Sequence, residues 1–144
     1  MNSIIDNEQL GKVKNYCEQV KEFSDACCIT PLPTKPVLMK KEQVEFITKM
    51  VNDELQELTE AISVHDQADA LVDAIYYICD TAVKHGLNLD KLFEIVHRAN
   101  MQKVVDGKVI RREDGKILKP DGWKDPGPLL EKEMERQEQE GSWS

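Results

Sequence analysis

DELQELTEAISVHDQADALVD, residues Asp53 to Asp73, reads as the end of one helix, a short turn and the start of the next, with carboxylates at helical spacing on both sides. Glu54 and Glu57 are three residues apart, so they point within roughly 60° of each other, about one turn apart. Asp66, Asp69 and Asp73 fall at i, i+3 and i+7, again on one face, and a tight antiparallel turn brings that face opposite the glutamates. Acids that face one another repel unless cations sit between them. Oxygen-only ligands suit a hard ion, Mg²⁺ or Mn²⁺, and Mg²⁺ held by carboxylates most often serves phosphate substrates. In a chain with 27 Asp and Glu among 144 residues the same spacing also describes a solvated face, with Asp66 as an N-cap and Asp69 inside the first turn. The apolar weave argues for the other reading: Leu55, Leu58 and Ile62 interleave with the glutamates, and Leu71, Val72, Ile75 and Ile78 with the aspartates. Acids beside a core need partners.

Outward from this hairpin, apolar residues recur at three-to-four spacing. Val44, Ile47, Val51, Leu55, Leu58 and Ile62 predict one long helix from Val37 to about Ser63, and the turn is expected at Val64 to Asp66. A third helix, from about Gln67 to His85, is apolar on several faces and is expected to be the most buried, with Gly86 as its C-cap. Asn88 or Asp90 restarts a helix through Leu92, Phe93, Ile95, Val96 and Ala99. On the N-terminal side, Leu10, Val13, Tyr16 or Cys17, Val20 and Phe23 predict a helix from about Asn7 to Ala26, capped by Asp6 or Asn7. The connector Thr30 to Pro36 holds three prolines and cannot be helical. From Lys103 to Pro128 the periodicity stops in a segment rich in Gly, Pro and Lys, where Asp106-Gly107 and Asp114-Gly115 signal a small hairpin or ordered loop. The expectation is an all-α antiparallel bundle of about four main helices, a single domain over 1–128, and a charged tail over 129–144 read as a helical stub or frayed end.

The net charge of −8 argues against a nucleic-acid partner and against anionic membrane surfaces, and leaves a phosphate substrate in need of metal ions. Cys17, Cys27, Cys28 and Cys79 form no C-x-x-C pair and have no histidine at zinc-finger spacing, so they read as reduced core thiols of a cytoplasmic protein. No apolar run approaches 18 residues and no leader pattern opens the sequence.

Glu54-x-x-Glu57 followed by Asp73-Ala-Ile-Tyr-Tyr-Ile, then His97-Arg98-Ala99-Asn100-Met101-Gln102-Lys103, Arg112-Glu113-Asp114-Gly115-Lys116 and Lys119-Pro120-Asp121-Gly122-Trp123, resembles the all-α nucleoside triphosphate pyrophosphohydrolases, the MazG and phosphoribosyl-ATP pyrophosphohydrolase-like superfamily. The downstream motifs look like its bacterial MazG-like dUTP-hydrolysing branch, and the resemblance covers roughly Val37 to Pro126. It implies a helical bundle forming a homodimer or dimer of dimers, with Mg²⁺ ions held by an E-x-x-E and an E-x-x-D pair gripping the triphosphate. Carried over, Glu54 and Glu57 match the first pair and Asp73 the aspartate of the second; Ala70 stands where the second glutamate belongs, and Asp69 is the substitute, with Asp66 nearby. Asp53 is the candidate general base by the same resemblance, Asn100 contacts base or sugar, and Lys103 binds phosphate. Arg112, Lys116 and Lys119, in the one basic segment of an acidic chain, are candidates to close over the triphosphate from the loop. His97 reads as a hydrogen-bonded structural histidine, Tyr76 and Phe23 as core, with a place against a nucleobase as the alternative for either, and Trp123 as the anchor of its loop.

The function that follows is Mg²⁺-dependent hydrolysis of a nucleoside triphosphate, with dUTP or dCTP favoured, to the monophosphate and pyrophosphate. Its rivals are a phosphoribosyl-ATP-type or broad-specificity enzyme, and a non-catalytic nucleotide-binding helical dimer.

Overall fold

The structure, a computed structural model, describes residues 14–144. Five helices follow in order: α1 (Tyr16–Cys27), α2 (Lys41–Glu60), α3 (Val64–Lys84), α4 (Leu89–Met101) and α5 (Gly127–Glu140). The fold is all-α, as the periodicity predicts, and no strand forms among the described residues. α2 and α3 make a helical hairpin, α1 lies along α3, and α4 packs on α1 and α5.

The α2–α3 turn falls earlier than expected, because Ser63 and not Asp66 caps α3. The Ser63 hydroxyl accepts from the Asp66 N–H at 3.0 Å, which pulls Val64 and His65 into the first helical turn. α1 begins at Tyr16, with Lys14 and Asn15 non-helical, so the expected single run from Asn7 is interrupted. The expected caps Asp6 and Asn7, and the apolar positions Leu10 and Val13, lie outside the described residues. The N-terminus of α1 is satisfied instead from α4: Asp90 accepts from the N–H groups of Cys17 and Glu18, both at 3.0 Å.

The core is small. Cys17, Val20, Cys79 and Val83 are buried between α1 and α3, walled by Leu32 of the Pro-rich connector, Leu89 and Trp143. Of the stripe read on α1, Tyr16 and Phe23 are exposed, and Ser24 is buried in their place. Phe23 and Tyr76 are therefore not core. They meet edge to face on the surface, ring centroids 6.2 Å apart. α3 carries the largest share of buried residues, Ala70, Ala74, Cys79, Ala82 and Val83, whereas α2 buries none.

The end of α3 is tied down by polar contacts. Gly86 takes φ +71°, and a Cβ there would stand 2.1 Å from the Lys35 carbonyl oxygen, so the close approach of the connector requires glycine. The His85 ring lies between the Thr81 carbonyl (2.7 Å) and the Gln43 side-chain oxygen (2.9 Å), which joins the end of α3 to the start of α2. Gln137 of α5, 0% exposed, accepts from the Asn88 N–H (3.1 Å) and donates to the Asn88 carbonyl (3.1 Å) and to Glu133 (2.9 Å). The Ser142 N–H donates to the Thr34 carbonyl at 2.8 Å, and its hydroxyl donates to the Gly86 carbonyl. Of the two readings of the tail, a helical stub or a frayed end, the helix is the one that forms, and its end is docked, because a buried glutamine and a serine supply the hydrogen bonds that the α3–α4 turn lacks.

Candidate active site

Glu54 and Glu57 come from the last turns of α2, and Asp69 and Asp73 from the first turns of α3, so the helical hairpin sets the two pairs against each other. Glu54 registers all of them. One of its oxygens, Oε2, is buried with no hydrogen-bond partner. Burial, a carboxyl–carboxyl contact with Glu57 and the negative charges of Glu57, Asp73 and Asp69 push its pKa above the ordinary glutamate value. Ala70, at the place of the second glutamate, is buried at 3% exposure, while Asp69, one residue earlier, is exposed and near enough for its charge to reach Glu54.

Among the described residues no three Asp, Glu, His or Cys side chains are yet drawn together as a ready metal site. The donor chemistry nevertheless fits a hard divalent cation. The charges of three further carboxylates, from both helices, reach Glu54, and one of its oxygens is buried without a donor.

The remaining sequence candidates divide. Asp53 is not drawn into the cluster; it pairs with Lys49 on the surface at 2.8 Å. Asn100 is exposed at the end of α4, and α4 packs on α1 and α5. The hairpin forms as its turn signals predict: Val105 and Lys108 exchange backbone hydrogen bonds across Asp106 (φ 52°) and Gly107 (φ 74°), the positive-φ pair of a tight hairpin turn. Arg112 is occupied by Asp114, whose oxygens also take the Lys116 N–H, so of this pair only the Lys116 side chain is left without a carboxylate. Lys103 and Lys119 lie over the Trp123 ring. Trp123 anchors the loop as expected, its indole N–H donating to the Ala99 carbonyl at 2.8 Å. His97 is exposed and makes no hydrogen bond among the described residues; the bonded, buried histidine is His85.

Two cavities lie away from the acids. A cleft of about 490 Å³ between α4 and the start of α5 is lined by Arg98, Lys124 and Asp125, and an apolar groove of about 330 Å³ runs between α1 and α3 along Tyr16, Val72 and Tyr76.

The family model of phosphoribosyl-ATP pyrophosphohydrolase matches residues 17–100, from the start of α1 almost to the end of α4, and so takes in every member of the acid cluster. The chain belongs to this family. It is a pyrophosphohydrolase of the MazG-like all-α superfamily, a hydrolase of phosphoanhydride bonds in nucleoside triphosphates. Among curated proteins none matches the chain significantly. The hairpin, Trp123 and α5 of this pyrophosphohydrolase lie beyond the matched range. Among the described residues no helix is long and apolar enough to cross a membrane.

Proposed function

We propose that the enzyme is a Mg²⁺-dependent nucleoside triphosphate pyrophosphohydrolase that takes a deoxynucleotide of the dUTP or dCTP class to its monophosphate and pyrophosphate. The observation that carries this is the orphaned oxygen of Glu54 among Glu57, Asp69 and Asp73. These four residues would hold the ion, Mg²⁺ or Mn²⁺, which when bound supplies the positive charge that offsets the phosphate oxygens. The chain's own contribution is to bring four carboxylates together on the α2–α3 helical hairpin. Asp53 is the proposed base for the attacking water, freed from Lys49 by a change of rotamer. Asn100, Lys103, Arg112, Lys116 and Lys119 are the proposed substrate contacts.

A homodimer or dimer of dimers is supported by the faces that one chain leaves bare. α2 buries no residue, and Val44, Phe46 and Leu55 of α2 and Leu71, Val72, Ile75 and Ile78 of α3 are all more than 40% exposed, far more apolar surface than scattered exposure explains. A cytoplasmic setting accords with nucleotide chemistry and four free cysteines.

The matched family favours a second substrate, phosphoribosyl-ATP, on the same site. Pyrophosphate release from a panel of ribo- and deoxynucleoside triphosphates and phosphoribosyl-ATP, with and without Mg²⁺, separates the two. The deoxynucleotide reading expects one deoxynucleotide to lead the panel and Glu57→Gln to abolish turnover. Turnover confined to phosphoribosyl-ATP, or indifferent to Mg²⁺ removal, overturns it.

A further inference from the structure

Trp123 carries two ammonium groups. Lys103 Nζ is 5.2 Å and Lys119 Nζ 5.0 Å from the centroid of its ring. The ring is held by its indole N–H on the Ala99 carbonyl (2.8 Å), and the backbone that carries it by the main-chain N–H on the Pro120 carbonyl (3.0 Å). One aromatic plane therefore joins the end of α4, the residue three after Asn100, and the far arm of the hairpin loop. Two like charges on one ring repel, and a purely structural stack would place a carboxylate beside them. None is there: among the described residues neither lysine has an acid within ion-pair distance, although Asp106, Asp114, Asp121 and Asp125 lie in the same segment. The other tryptophan gives the contrast. Lys21 over Trp143 is 5.8 Å from that ring and is paired with Asp25 at 2.6 Å.

We propose that Lys103, Trp123 and Lys119 form a polyphosphate-binding stack, in which the lysines bind phosphate oxygens and Trp123 is a positioning residue that holds both ammonium groups at a set separation. The proposal rests on the reading that the substrate is a nucleoside triphosphate, and it adds a residue outside the matched range. Lysine is a mobile point charge on a four-carbon stem, so its phosphate affinity depends on what restrains the stem; an aromatic face restrains it without neutralising it.

The test uses inorganic tripolyphosphate in EDTA, where the acid cluster has no metal and cannot contribute. The chain has two tryptophans, so Trp143→Phe leaves Trp123 as the sole indole reporter. Tripolyphosphate is expected to change its emission saturably, sodium chloride of equal ionic strength is not, and Lys103→Met with Lys119→Met is expected to abolish the change. With Mg²⁺ and nucleotide, Trp123→Leu is expected to raise KM about tenfold with kcat within about twofold, and Trp123→Phe, which keeps the ring face, to recover most of the loss. An emission unmoved by tripolyphosphate, or a double lysine variant with wild-type KM, overturns the proposal. So does a Trp123→Leu enzyme that loses kcat and thermal stability at unchanged KM. If Trp123→Leu does not fold, the surface lysine variants carry the test. Tripolyphosphate binding without Mg²⁺-dependent turnover of any nucleoside triphosphate supports the stack and overturns the proposed deoxynucleotide reaction instead.

Discussion

At the Lys84 end of α3, Asn88, Gln137 and Ser142 are buried and each is hydrogen-bonded; toward the Val64 end, Glu54 has a buried oxygen with no partner and three other acids around it. The first arrangement adds stability, since every group withdrawn from water finds a donor or acceptor. The second costs stability in the metal-free chain and is what a cation would relieve. One helix thus joins an end where the buried polar groups are paired to an end where a buried carboxylate oxygen is not.

Breaking the acid end should show in activity first. Glu54→Gln is expected to lower kcat/KM by at least about a hundredfold, the usual cost of removing one preorganised charge-stabilising group, while the metal-free melting temperature holds or rises because like-charge repulsion is relieved. An activity loss that tracks a loss of folding would sink the contrast. At the other end the sign reverses. Gly86→Ala places a methyl against the Lys35 carbonyl at positive φ and is expected to cost about 2–4 kcal/mol in denaturant unfolding, with turnover of the folded fraction kept. Gln137→Ala leaves the Asn88 N–H and carbonyl buried and unpaired, and a loss of about 2 kcal/mol is expected from the same measurement.

The smallest effect is the sharpest comparison. Glu54 has a raised pKa, so its ionisation favours the unfolded chain: its contribution is best at low pH and is lost as pH rises from 4.5 through the raised value. Glu133 runs the other way. The Arg136 guanidinium, with Gln137 beside it, holds its carboxyl below the ordinary range, so its contribution is present above 4.5 and is lost as pH falls through the lowered value. Metal-free stability against pH in Glu54→Gln and in Glu133→Gln should therefore lose slopes of opposite sign, and equal slopes would show that the two ends do not differ in this way.

Periodicity sufficed for the helices α2 to α4 and for the hairpin turns, because heptad-like stripes and Asp-Gly pairs are local signals. The acid hairpin was legible for the same reason. What escaped depends on distant partners. The burial of Gln137 and Ser142 is decided by Gly86, Asn88 and Thr34, some 50 to 110 residues away in the chain, and nothing local in a charged tail points there. Tyr76 and Phe23 look like core from spacing, but on α1 Ser24 takes the inward place beside Cys17 and Val20, and the two rings meet on the surface. The pairing of Lys103 with Lys119 across one ring was hidden for a similar cause, since its only local trace is a tryptophan flanked by Lys119 and Lys124.

The four thiols divide by depth: Cys17 and Cys79 are buried together between α1 and α3, Cys27 is exposed and Cys28 half-buried. The adjoining Cys79 thiol and burial push the Cys17 thiol up and keep it unreactive. A thiol reagent therefore reads the molecule as a clock, with two sulfurs modified promptly and two only when α1 lifts from α3, so the slow phase measures how often this helix detaches in the native state.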